Sequence, residues 1–82
     1  MDPGSAIKKA VQQCADNPYV TSPMQILACN LGVTSASNAL KSSPSPVDLL
    51  SYCVNATQDL DSKYDKGAFS AGCVYFTHDV GQ

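Results

Sequence analysis

The chain has no arginine, no glutamate and no tryptophan, and its only histidine is His78. Each absence removes a class of function. Arginine supplies the bidentate grip on phosphate and the stacking on bases that nucleic-acid recognition draws on. Without it, and with a net charge of −2, nucleic acid is not the expected partner. A membrane-binding basic face is equally missing. Apolar runs reach only a few residues, so no segment is expected to span a bilayer. No cysteine pair is spaced C-x-x-C, and one histidine cannot complete a zinc site. No glycine pattern cradles phosphate and no serine lies in a nucleophile elbow. Neither cofactor nor metal is expected, and the chain does not read as an enzyme.

What is present is short and hydroxyl-rich. Eighty-two residues make one domain, and a chain of this size buries only about 60–65 % of its unfolded surface. Small domains usually compensate with disulfides or a metal. Cys14, Cys29, Cys53 and Cys73 are even in number and each lies on the apolar side of its segment. They read as two disulfides, and therefore as an extracytosolic protein, periplasmic or extracellular. The bland alternative is four buried thiols in an intracellular core. Ten serines, four threonines and four asparagines give the neutral coat common among small secreted proteins.

Hydrophobic spacing predicts helix nearly throughout. Residues 1–5 read as a disordered start or a vector-derived remnant, with a single domain over 6–82. Ser5 is expected to cap a first helix carrying Ile7, Ala10, Val11 and Cys14 on one face, ending at Asn17-Pro18. Ser22-Pro23 is a second start, with Met24, Leu27, Ala28 and Leu31 as its stripe and Gly32 as its stop. A short third helix is expected over 35–40. The Ser/Pro run from Lys41 to Pro46 reads as a linker, in which Ser45 caps and Pro46 opens the longest helix. That helix carries Asp48 in its first turn and the stripe Val47, Leu50, Cys53, Val54, Leu60 and Tyr64. It pairs Asp59 with Lys63 and ends at Gly67. The last segment, 68–80, is read as helix, although residues 73–77 have the β-branched and aromatic content of a strand. The expected fold is all-α, four to five short helices in a compact bundle or orthogonal array, stapled by two disulfides.

Three disulfide connectivities are open. Sequential pairing closes the smallest loops. In a hairpin turning at Gly67, however, Cys73 would face Asp61, leaving Cys53 about 12 Å away along the axis. Crossed pairings therefore stay open.

Three motifs bear on chemistry. Asp59, Asp61 and Asp65 alternate as in a calcium loop, but Tyr64 and Ser70 occupy the glycine and glutamate positions. His78-Asp79 is the only candidate for a general base, and it lies at a chain end with no nucleophile beside it. Tyr19, in the loop between the first two helices, is the candidate partner contact, since exposed loop tyrosines are frequent at interfaces.

The gaps from Cys29 to Cys53 and from Cys53 to Cys73, with Pro44 between the first two, are similar to those of elicitin-type secreted proteins. The similarity covers about half the chain. It implies a helical sterol carrier with three disulfides. This chain has no cysteine near Gln58 and ends before the family's last one would occur, which would leave Cys29 and Cys53 without their family partners. Two functions are thus expected from the sequence ahead of a third, a small hydrolase with His78 as its one candidate site. The first is a secreted module that docks onto a protein, as an effector, inhibitor or immunity-type protein. The alternative is a carrier of a small apolar ligand, a lipid or sterol, between its helices.

Overall fold

A computed structural model describes residues 1–42 and 48–82. Among them are four helices and no strand: α1 (Pro3–Asp16), α2 (Pro23–Ser42), α3 (Leu49–Asp59) and α4 (Lys66–Val80). The all-α expectation holds, and the ambiguous stretch 73–77 is helical. The expected cap at Ser45, Pro46 and the apolar Val47 lie outside the described residues.

Each helix start is set by a short polar side chain. Asp2, not Ser5, caps α1, with Pro3 at its first position. Its Oδ1 accepts from the Ser5 amide at 3.0 Å and its Oδ2 from the Ser5 hydroxyl at 2.8 Å. The reason is the same cap-then-proline rule that marks Ser22-Pro23: aspartate before an N1 proline is already a complete start. At α2 the Ser22 hydroxyl accepts from the Gln25 amide at 3.1 Å, and the Gln25 Oε1 accepts in return from the Ser22 amide. This is a capping box with glutamine at its third position. Asp48 repeats the Asp2 arrangement with Ser51, so it is the cap of α3 and not a first-turn residue. Helix α1 ends at Asp16, with Asn17 extended ahead of Pro18.

Two expectations about glycine fail for one reason. Gly32 does not stop α2, which runs on through the expected third helix to Ser42 as the longest element, 20 residues. Gly67 does not end a helix but lies in the first turn of α4. No glycine among the described residues has the positive φ that a left-handed cap requires. Gly32 is instead where α4 passes. A Cβ at Gly32 would overlap the Phe69 carbonyl oxygen and stand 2.9 Å from the Cys73 nitrogen. Gly72 answers it from α4, where a Cβ would overlap the Cys29 carbonyl. A mid-helix glycine costs about 1 kcal/mol, and here it permits a backbone-to-backbone approach that no other residue allows.

The turn between α3 and α4 settles the disulfides. Helix α3 ends at Asp59, and Asp61–Tyr64 form the turn, in which Asp61 accepts from the amides of Lys63 and Tyr64. The hairpin therefore reverses several residues before Gly67, and Cys53 and Cys73 come opposite one another with Cα atoms 5.7 Å apart. Cys14 and Cys29 join α1 to α2. All four cysteines are paired, in the sequential connectivity. Such bonds form and persist in oxidising compartments, outside the reducing cytosol. Asp59 and Lys63 do not share a helix face, since α3 has ended between them.

The result is two stapled hairpins packed through their second helices. Helices α2 and α4 each pack on all three others, whereas α1 and α3 do not touch. The core between them is made largely of small residues around Val33 and two rings: Ala6, Ala10, Ala28, Ala36, the two cystines, Val33, Phe69 and Phe76 are buried. Such small residues leave room for little besides the helices themselves, which draws the axes together. Several residues expected on inward stripes are exposed as a consequence, among them Met24, Leu27, Leu50 and Val54. Leu49 takes the buried position at the start of α3. No described helix is long and apolar enough to cross a membrane.

Candidate functional site

The α1–α2 loop and the start of α4 meet at one end of the molecule. Asn17 anchors the loop three ways. Its Oδ1 accepts from the Tyr19 amide at 2.8 Å, its carbonyl accepts from the Val20 amide at 3.1 Å, and its Nδ2 donates to the Tyr75 hydroxyl on α4 at 2.8 Å. Val20 is buried, so the loop is pinned on both sides of Tyr19, which is itself 85 % exposed. Its backbone is therefore ordered before any partner arrives, and only the ring's own rotamer freedom is left to lose on binding.

Beside Tyr19 is an open cleft of about 160 Å³. Asn17, Val20 and Gln25 form one wall, and Asp65, Ala68 and Ala71 the other. Gln25 ties the walls together, its Nε2 donating to the Asp65 Oδ2 at 3.2 Å. Asp65 also caps α4, its Oδ1 accepting from the Ala68 amide at 2.9 Å. That amide, and after it the Gln25 side chain, hold the Asp65 carboxyl below its ordinary 3.8, against a small opposing effect of desolvation. The cleft therefore carries a full negative charge at neutral pH. It is smaller than the roughly 300–1,000 Å³ of pockets that enclose drug-sized ligands.

The other sequence candidates fall elsewhere. His78 is at the far end of α4 with its side chain 66 % exposed, its Nδ1 3.4 Å from the Asp79 Oδ1. Asp79 is fully buried, with Lys9 of α1 3.8 Å away, and its Oδ2 has no partner. The cystines leave no thiol to act as a nucleophile beside this pair. Of the calcium-like aspartates, Asp59 is the last residue of α3, Asp61 holds the turn and Asp65 caps α4. No cluster of potential metal ligands occurs among the described residues.

Comparison with protein-family models, with curated proteins and with solved structures finds no match. The elicitin-like spacing is not accompanied by elicitin-like bonds: Cys29 pairs with Cys14 and Cys53 with Cys73. Function therefore has to be argued from the cleft alone. Sequence reasoning reached Tyr19 but not Asn17, Gln25 or Asp65. The Ser22–Gln25 spacing carries the capping-box signal. Asp65 carries none while residues 46–66 are read as one helix.

Proposed function

We propose that this chain is a secreted, non-catalytic binding module that docks onto a protein partner through the Tyr19 end. One observation carries the reading: Tyr19 is 85 % exposed on a loop whose neighbours on both sides are fixed. Tyrosine is enriched among the residues that dominate interface energetics, and a rigid presentation loses little entropy on binding. The two disulfides support an extracytosolic setting. The carrier reading draws no comparable support, because the helices that would enclose a ligand are in backbone contact at Gly32 and Gly72.

The test is affinity capture from native extracytosolic fluid with the oxidised chain and with Tyr19→Ala. Tyr19 makes no buried contact, so the variant should keep the wild-type melting temperature. Capture of the partner should fall about tenfold or more, the size of an interface anchor. Equal capture by both chains would remove Tyr19 from the interface and the reading with it.

A further inference from the structure

The charge of the chain is unevenly placed. At the cleft end stand Asp16, Asp59, Asp61 and Asp65 with Lys63 and Lys66; towards the other end Asp2, Asp48 and Asp79 are balanced by Lys8, Lys9 and Lys41. By chain order, the excess of negative charge in the net −2 thus falls at the helix ends and turns on the side where Asp65 caps α4. Neither nearby lysine neutralises the cleft. Lys66 donates to the Gln58 carbonyl at 2.9 Å, and the Lys63 ammonium stands 5.2 Å from the centre of the Tyr64 ring. Among the described residues no cation pairs with Asp65.

The polar atoms of the cleft sharpen the point. An ionised carboxylate offers about four acceptor positions, and Asp65 uses two, for the Ala68 amide and the Gln25 amide group. The amide oxygens of Asn17 and Gln25 are engaged with backbone N–H groups of their own loop. What remains for a ligand is one N–H on each of the Asn17 and Gln25 amide groups and, as the only charged group, the spare acceptor capacity of the Asp65 carboxylate, with Tyr19, whose ring can attract a cation, in the same lining. The volume, about 160 Å³, suits the head of one side chain.

We infer that the cleft is a subsite for one cationic side chain, lysine or arginine, of the protein partner, held against the Asp65 carboxylate and alongside the Tyr19 ring. This rests on the docking reading and gives the partner's contact surface a chemistry. Charge of this kind steers encounter as well as fixing register.

The oxidised chain, labelled with 15N, is titrated with three peptides, acetyl-Gly-X-Gly-amide with X as arginine, lysine or glutamate. Saturable shifts are expected at Asn17, Tyr19, Gln25 and Ala68 with the two basic peptides and not with the acidic one. Asp65→Asn keeps an N-cap of equal quality, confirmed by unchanged helical circular dichroism, and should weaken the response at least fivefold. Absent or scattered shifts, an equal response to the glutamate peptide, or an unchanged response in Asp65→Asn overturns the subsite. Partner capture that depends on Tyr19 but not on Asp65 overturns it too, while leaving docking in place. Capture indifferent to Tyr19 is instead the failure of the docking reading.

Discussion

Gly72 of α4 lies directly on the carbonyl of Cys29 in α2, so close that a Cβ at position 72 would overlap the oxygen and stand 2.7 Å from its carbon. Gly32 makes the reciprocal contact with Phe69 and Cys73. Because the obstacle is helical backbone, it cannot turn aside as a long side chain would. Gly72→Ala should therefore lose about 3 kcal/mol in urea unfolding, at the upper end of what overpacking costs. Gly67→Ala is the control. Its Cβ would meet only the Asp65 side chain at 3.4 Å, and it should be neutral or stabilising by up to about 1 kcal/mol. Equal behaviour of the two variants would mean that α2 and α4 do not cross at these glycines.

The same contact shows what a sequence can and cannot reveal about this fold. Asn17-Pro18, Ser22-Pro23 and the helical nature of residues 68–80 were legible because the signals are local. Gly32 was not, because a helix stop and a helix crossing place the same residue in the sequence; only the partner helix distinguishes them. Reading Gly67 as a stop moved the hairpin turn away from residues 61–64 and made the Cys53–Cys73 bond look out of reach. Leu50 and Val54 looked like core by spacing, but Leu49 and Cys53 take the buried positions of α3 and turn both of them to solvent. At the cleft, Tyr19 was legible as a loop aromatic. Asn17 and Asp65 act through contacts made 58 and 40 positions away in the chain, which no local pattern encodes.

The disulfides close loops of 15 and 20 residues, each worth about 3 kcal/mol in the chain-entropy account. Replacing Cys14 and Cys29 by serine should lower stability by that order and leave the Cys53–Cys73 bond intact on peptide mapping. Mapping of the unsubstituted chain that finds Cys14 joined to Cys53 or Cys73 would contradict the two-hairpin fold.

Acid should weaken the helix starts. Asp2, Asp48 and Asp65 are each held below 3.8, first of all by a backbone N–H of their own helix, from Ser5, Ser51 and Ala68 respectively. Their folded values are depressed, so their contribution is complete above the unfolded value and is lost as pH falls below about 4 through the folded ones. A variant with all three changed to asparagine keeps its caps without the charge. Its stability should fall less steeply than wild type between roughly pH 4 and 2, measured by urea midpoints. An identical slope would show that other groups govern the acid response.

Asp79 is buried with one oxygen unpartnered, and Lys9 is the lysine paired with it. Lys9→Met keeps the aliphatic stem and removes the ammonium, leaving the buried carboxylate with only the His78 ring nitrogen beside it. The lysine is partly exposed, which screens the pair, so a loss of about 1–2 kcal/mol is expected. Lys8→Met, on the exposed side of α1, should change stability by less than about 0.5 kcal/mol. Equal effects would show that the buried carboxylate does not depend on Lys9.

Docking through the Tyr19 end is tested most directly by site-specific photocrosslinking. The photoreactive residue p-benzoylphenylalanine is placed at Tyr19 in one chain and at Val54, exposed on α3, in another. Irradiation in native extracytosolic fluid should yield one covalent protein adduct from position 19, suppressed by excess wild-type chain, and none from position 54. No adduct from position 19, or the same adducts from both positions, would contradict a docking surface at the cleft.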